Sequence, residues 1–418
     1  MRVLLTEGSG LTSRQVATRL GELGHEVEIL SSTPICLTRF TRHVRRVHRV
    51  PPFGNHPLAW LDAACGVARK RAVDLIFPTQ EQVAVLSAFE SRLPVPTVVP
   101  PFESLKRVQD KLSSFRTLSV VGLPQPPSLI AMTDGDLAAV TSFPVFVKRA
   151  VSTASSGVRR VKEPDRLAEV ARSLEMNNGG VLVQSQVEGP LVMIQAIADG
   201  GRLIAWHANL RTREGASGGA SSKESATLSG LADQLTALVG ALRWHGPISL
   251  DAIVTTQGLM YIDVNPRLVE PRNALLAGVD LVAAMLALAS GAHLRAAPVS
   301  VGGVRSHQLL LAILGIAGSV GRRRAIVREI LQAARHGGPY AASVEELTPI
   351  RHDPLAAVPV ALAAAVTLFW PRAGEWFSSS SVESYALTPT GWSEILRARG
   401  ESAGGEGNHS AEGPLEPG

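Results

Sequence analysis

Asp263, Asn265 and Arg267 stand at alternate positions of the apolar run YIDVNPRLVEP, residues 261–271. In a β-strand alternate side chains share one face. That face would carry a carboxylate, an amide oxygen and a guanidinium in a row. ISLDAIV, residues 248–254, reads as a second strand and holds Asp251. A Thr256-Gln257-Gly258 loop, with Gly258 at the φ > 0 position, pairs the two as a hairpin. Asp251 then lies opposite Asp263. Facing carboxylates repel across a ladder, so the pair makes sense with a cation between them. Oxygen-only donors without Cys or His favour Mg²⁺. Asp251, Asp263 and Asn265 are therefore candidate metal ligands. Arg267 is a candidate clamp for a phosphate or an acyl phosphate, held bidentately.

Other elements must bring a phosphate-bearing substrate to that hairpin. FPVFVKRAVSTASSGVRRV (143–161) reads as a buried strand ending in Lys148, a small-residue loop and a return strand. A Lys at a strand end is a point charge for phosphate oxygens. The loop holds Ser152, Thr153, Ser155, Ser156 and Gly157, whose small side chains let backbone N–H groups close over phosphates. An ordinary hairpin turn is the competing reading. VLVQSQVEGP (181–190) reads as a strand leaving into a turn at Gly189-Pro190.

The first hundred residues read as a small α/β unit. RVLLT is a buried strand, SRQVATRLGELG a helix by its apolar spacing, HEVEIL a second strand and VDLIFPT (73–79) a third. The Gly8-Ser9-Gly10 turn suggests dinucleotide binding. Position 13 is Ser13 instead of a third glycine, and the second strand ends in Ser31-Ser32 without an acid, which argues against it. The arginines of LTRFTRHVRRVHRVPP (37–52) read as a solvated helix face, with attraction of an anionic substrate as the next reading. HANLRTREGASGGASSKES (207–225) reads as a polar loop, and NALLAGVDLVAAMLALASG (273–291) as a strongly apolar helix.

The chain has 418 residues, 45% apolar and 18% charged, with a net charge of +5. That length suits two or three domains with a large core. A pI near 9.5 without an aromatic platform or a nucleic-acid motif gives no reason to expect nucleic acid as a partner. Cys36 and Cys65 suggest neither a disulfide framework nor a thiolate metal site. MRVLLTEGSG reaches Glu7 before an apolar h-region can form, so no signal peptide and a cytoplasmic, reducing setting are expected. Leu355 to Pro371 is uncharged but short for a span and contains Pro359. It reads as a buried or interfacial helix, and 354–371 is the one place where membrane contact is entertained. Residues 398–418 have the composition of a disordered tail.

The acid, the second acid a dozen residues on, and the following Asn-Pro-Arg resemble the ATP-grasp superfamily, specifically its carboxylate–amine ligases. Biotin carboxylase and the large chain of carbamoyl-phosphate synthetase are similar proteins. The resemblance covers about residues 1–300 and takes in the Ala-Gly-Val-Asp-Leu run after the Asn-Pro-Arg. It implies an α/β and α+β chain. A parallel α/β pre-ATP-grasp domain (1–101) precedes an ATP-grasp fold (102–300), whose two α+β subdomains clamp ATP and whose lid spans about 115–185. A mainly helical extension (301–397) follows. The resemblance puts Asp110-Lys111 at a helix start, with Lys111 reaching the phosphates beside Lys148. It places Ser156 and Gly157 in the phosphate lid. Gln184 supplies a hinge side chain at adenine, Ser185, Gln186 and Val187 main-chain contacts, and Glu188 the ribose contact. Arg267, Lys148 and Arg211 become catalytic candidates, with Arg211 and Arg213 on an acceptor carboxylate and Gly218-Gly219 giving that loop its close approach. The implied reaction joins a small carboxylate to an amino-acid-like amine through an acyl phosphate, with ATP and two Mg²⁺ (or Mn²⁺) ions. Alternatives left open are a non-catalytic ATP-binding module and a carboxylase that activates bicarbonate. A homodimer is also open.

Overall fold

The computed structural model describes residues 1–153, 157–292, 298–319, 323–347, 350–370 and 381–400. Three sheets organise them. The first is parallel, in the order β3-β2-β1-β4, from β1 (Arg2–Leu5), β2 (Glu26–Ser31), β3 (Val44–Arg49) and β4 (Leu75–Phe77). The second, in the order β5-β8-β6-β7, is antiparallel and comprises β5 (Ser128–Ala131), β6 (Val145–Arg149), β7 (Val158–Val161) and β8 (Val181–Ser185). The third has seven strands, β13-β12-β9-β10-β11-β14-β15. These are β9 (Leu191–Asp199), β10 (Arg202–Glu214), β11 (Ala220–Ser225), β12 (Gly246–Thr255), β13 (Gly258–Asn265), β14 (Arg305–His307) and β15 (Ser343–Glu345).

The large sheet has an apolar face and a polar face. Ile194, Ala208, Leu250 and Val264 join one core cluster with Leu231, Leu235, Leu238 and Val239 of the helix Leu231–Ala241. Their spacing along that helix is the one an amphipathic helix uses to cover a sheet. The opposite face holds the residues with chemical potential. Helix Leu281–Ala289 belongs to a different cluster, where it meets β1, β2 and helix Leu11–Glu22.

Several elements differ from the sequence reading. The arginine run is not a helix. A 3-10 turn at Leu37–Arg39 leads into β3, whose β-branched Val44 and Val47 suit a strand beside β2. Arg45 and Arg46 are exposed there, where charge blunts an open sheet edge. The segment 207–225 is not a loop either. It forms most of β10 and β11, paired antiparallel. Residues 273–291 form two helices, Arg272–Leu276 and Leu281–Ala289. Gly278 at φ +94 interrupts them, and Asp280 caps the second by accepting from the Ala283 amide at 3.0 Å.

The extension beyond residue 300 is mainly helical, with Leu309–Ser319, Arg323–Ala334, Ala357–Phe369 and Pro389–Ala398. It also contributes β14 and β15 to the large sheet. The last helix returns to the N-terminal sheet, where Leu387, Trp392 and Ile395 join the cluster of Trp60, Ile76 and Phe102. Of the tail expected from 398, Ala398 closes this helix and 401–418 lie outside the described residues.

A buried polar cluster ties these parts together. Lys223 on β11 bonds Glu270 and, at 2.8 Å, Glu346. Glu346 also accepts from Ser306 Oγ at 2.6 Å, Gln308 Nε2 at 2.7 Å and Gln15 Nε2 at 3.0 Å. Burial works against the Lys223 charge, but the two carboxylates more than offset it and hold its pKa above the usual lysine value.

Candidate functional site

β12 and β13 form the expected hairpin, with Thr255 paired to Gly258 at φ +112. Asp251 pairs with Asp263, and Ser249 with Asn265. The register continues across the sheet. Ser249 pairs with Gln195 on β9, and Gln195 with His207 on β10. Asp251 pairs with Met193, and Met193 with Asn209. Directly paired residues share a face, so Asp263, Asp251, Asn265, Ser249, Gln195 and Asn209 make one polar surface.

Lys111 reaches that surface from the start of helix Lys111–Val121, and its Nζ lies 2.7 Å from Asp263 Oδ1. Asp110 caps the helix by accepting from the Leu112 and Ser113 amides at 3.0 and 2.8 Å. Lys148 arrives from β6. Its Nζ donates to Gln184 Oε1 and to the Ile262 carbonyl, both at 2.7 Å. Glu81, which follows β4, accepts from Arg267 Nε at 3.0 Å. The two lysines, the two aspartates and Arg267 thus meet where all three sheets converge. A cavity of about 10 Å³ remains between Lys111, Ser152, Asp263, Asn265 and Glu81. That is room for one water.

Charge explains the protonation states. Burial, and then Asp263 across the ladder, push the Asp251 carboxyl up to about 7. Burial also works to raise Asp263, but Lys111 and Lys148 outweigh it and leave the group below its usual value. A pair in which one carboxylate resists ionisation beside the other suits a divalent cation. With Asn265 the donors are all oxygen, as Mg²⁺ prefers. Among the described residues no group of three or more His, Cys, Asp or Glu could hold a metal ion, so substrate oxygens and water would complete the shell.

The hinge is narrower than the sequence suggested. Gln184 is buried, and its amide also donates to Ser128 Oγ at 3.2 Å. The amides of Ser185 and Gln186 already donate to the Pro127 and Pro144 carbonyls, at 2.8 and 3.0 Å. Main-chain contacts at 185–187 therefore reduce to carbonyl groups and the Val187 amide. Glu188 is exposed at the rim. Gly189 has φ +146, and a Cβ there would fall 2.0 Å from the Val254 carbonyl, so the hinge rests against β12 only because this residue is glycine. In the loop after β6, the Gly157 carbonyl accepts from the Arg149 amide at 2.8 Å and Ala150 holds the Lys111 amide at 2.9 Å. Ser155 and Ser156 lie outside the described residues.

Arg211 shares the face of Asn209 two residues on. It donates to the Gly218 carbonyl at 2.7 Å and pairs with Glu214 at 3.1 Å. Arg213 is not available to an acceptor. A bulge after Arg211 turns it to Glu329, 2.9 Å away at Nη2.

Glu81, Gln195, Asn209, Ser249 and Tyr385 were missed from sequence. Gln195 Nε2, Asn209 Oδ1 and Ser249 Oγ are buried without a hydrogen-bond partner, as expected of groups that meet a ligand. Their signal was polar residues in phase with Asp251 inside apolar strands. Tyr385 comes from the segment after residue 380 and lies close to Arg267, Glu7, Glu81 and Glu270, with its phenol pushed up mainly by burial.

Lys148 gives a pH expectation. Burial, with Lys111 adding to it, lowers its pKa from 10.5 to about 8, against the opposing pull of Asp263 and Asp251. Only the ammonium form attracts phosphate. If Lys148 grips nucleotide phosphate, ATP affinity should be level below about pH 8 and fall as pH rises beyond it. Between about 8 and 10.5 the folded chain binds fewer protons than the unfolded one, so this group's contribution to stability rises with pH there. Titration calorimetry across that range checks it. A profile that Lys148→Met leaves unchanged would assign the dependence elsewhere.

No protein-family model and no curated protein matches the chain. Solved structures do share its fold. Biotin carboxylase of Campylobacter jejuni, in complex with β,γ-ATP, is 17% identical with a TM-score of 0.58, over 70% of this chain and 71% of that one. The biotin carboxylase domain of Hydrogenobacter thermophilus 2-oxoglutarate carboxylase, in complex with MgADP, ADP and bicarbonate, is 17% identical with a TM-score of 0.59, over 73% and 74%. N5-carboxyaminoimidazole synthetase of Staphylococcus aureus, complexed with ADP, is 13% identical with a TM-score of 0.61, over 76% and 84%. At these identities the likeness is one of fold.

Proposed function

We propose, from the ATP-grasp fold that these neighbours share with the chain, that it is an ATP-dependent carboxylate–amine ligase releasing ADP and phosphate. The observation that carries this reading is the facing Asp251–Asp263 pair, with Lys111 bonded to one of them and Lys148 bonded to the Ile262 carbonyl beside it. Residues 102–300 would be the ATP-grasp unit, with 115–185 as lid, 1–101 as pre-ATP-grasp domain and 301–397 as extension.

Asp251, Asp263 and Asn265 would hold two Mg²⁺ or Mn²⁺ ions, which when bound neutralise phosphate charge. Lys111 and Lys148 would grip phosphate oxygens, while Ser156 and Gly157 cover them. Gln184, Ser185, Gln186, Val187 and Glu188 would hold the nucleoside. A substrate carboxylate oxygen attacks the γ-phosphorus, the bond to the ADP oxygen breaks, and an acyl phosphate forms. Arg267 would steady that mixed anhydride, and Arg211 the acceptor. The amine nitrogen then attacks the acyl carbon, loses a proton and expels phosphate. The protein's contribution is positioning and charge neutralisation. A cytoplasmic setting fits ATP as substrate.

ADP release should be slow until a carboxylate is supplied, because a closed site keeps water from the γ-phosphate. Adding the amine should raise it and give amide and phosphate in equal amounts. Hydroxylamine should trap the activated acid as a hydroxamate. AMP and pyrophosphate would overturn the reading, and tight ATP binding without turnover would favour a non-catalytic module. Bicarbonate should be tested as a carboxylate substitute, because the 2-oxoglutarate carboxylase neighbour was crystallised with that anion. Turnover with bicarbonate alone would favour the carboxylase alternative.

A further inference from the structure

Three helices of the extension pack on one another and, among the described residues, leave one face uncovered. Ile326 and Ile330 of Arg323–Ala334, and Val360, Ala364 and Leu368 of Ala357–Phe369, turn inward onto Ile313 and Ala317. Opposite them, Val358, Leu362, Ala365 and Phe369 fall three and four residues apart, which places them on one side of the helix, with Leu355 in the 3-10 turn Pro354–Ala356 just before it. All five are exposed, Phe369 at 83% and the adjoining Trp370 at 60%. Core-type spacing is thus presented outward, next to an aromatic pair.

The neighbouring helix supplies the charge. Arg323 donates to the Phe369 carbonyl at 3.4 Å, which sets the start of Arg323–Ala334 beside the end of the apolar helix. From there Arg323, Arg324, Arg328 and Arg335 line an open groove with Val327 and Leu331. Val327 and Leu331 are 43% and 44% exposed. None of the four arginines pairs with a carboxylate among the described residues. No helix among those residues is long and apolar enough to cross a membrane. An uncharged stripe ending in Phe-Trp, rimmed by guanidinium groups that no carboxylate among the described residues neutralises, matches a bilayer interface. Apolar and aromatic side chains enter the headgroup boundary there, and arginines meet anionic headgroups.

We propose that the face formed by 323–335 and 355–370 docks the protein on an anionic lipid surface, lying on the membrane without spanning it. A second copy of the chain is the less favoured occupant, because its own arginines would be brought up to the same apolar face without a counter-charge.

Vesicle co-sedimentation of the full chain tests this, with phosphatidylcholine alone and with phosphatidylcholine mixed with phosphatidylglycerol. Binding is expected only to the mixed vesicles and should weaken as salt is raised. Arg324→Glu with Arg328→Glu should lower the partition coefficient by at least roughly fivefold for each arginine. Leu362→Asp with Phe369→Ser should lower it with no change in net basic charge beyond one unit. Arg45→Glu with Arg46→Glu, on the exposed edge of β3, is the control for bulk charge and should bind as wild type does. All variants should keep wild-type ATP binding, which reads folding independently. No binding to mixed vesicles would overturn the proposal. So would equal binding to both vesicle types, or equal losses in the β3 control. A dimer in solution that Leu362→Asp disperses, without vesicle binding, would hand the face to a second copy.

Discussion

Asp263→Ala should abolish ATP turnover while the protein stays folded. Asp263 takes the Lys111 ammonium at 2.7 Å and faces Asp251 across the ladder. Its loss removes one of the two carboxylates proposed to hold the metal and frees Lys111 from its place. A fall in kcat of about 10²- to 10³-fold is expected, the scale seen when a preorganised charge-stabilising group is deleted. Stability should fall only modestly, since the pairing lost at Lys111 is partly offset by relieving Asp251 of a like charge that helps push its pKa to about 7. Steady-state ADP release and thermal unfolding, measured together, check both parts. Normal turnover by a folded Asp263→Ala protein would remove this hairpin from the site.

Lys223→Met should give the largest loss of stability. It leaves Glu346 and Glu270 in the interior without their shared cation. Breaking a buried pair from one side costs about 3–5 kcal/mol, because the stranded charge cannot be rehydrated. Glu346 would fall back on Ser306, Gln308 and Gln15, which are neutral. Urea unfolding monitored on the full chain checks this. A loss below about 1 kcal/mol would show that water reaches the cluster and screens it as it would a surface pair.

The hairpin was legible because its chemistry lies within a dozen residues and β-strand alternation fixes who faces whom. The Asp110 cap was legible for the same local reason. Glu81 was not, since its partner Arg267 is far along the chain and only tertiary packing joins them. The polar strands at 207–225 read as a loop in sequence because their buried face is hydrophilic. Asn209, Lys223 and Ser225 lie inside the protein, and a strand whose inner face serves a site lacks the usual apolar alternation. The arginine run misled in the opposite way. Its charges sit on a sheet edge, where they discourage pairing, and resemble a helix face only by composition.

Leu387, Trp392 and Ile395 complete a cluster begun by Leu4 and Trp60. The N-terminal sheet therefore cannot bury its full core as it leaves the ribosome. Nearly the whole intervening chain must be synthesised before the last helix arrives, and loop closure over such a separation is slow. Until then the surface later covered by Trp392 stays open to other chains, as incomplete intermediates of large proteins do. The unit that is first in sequence is thus finished last in time.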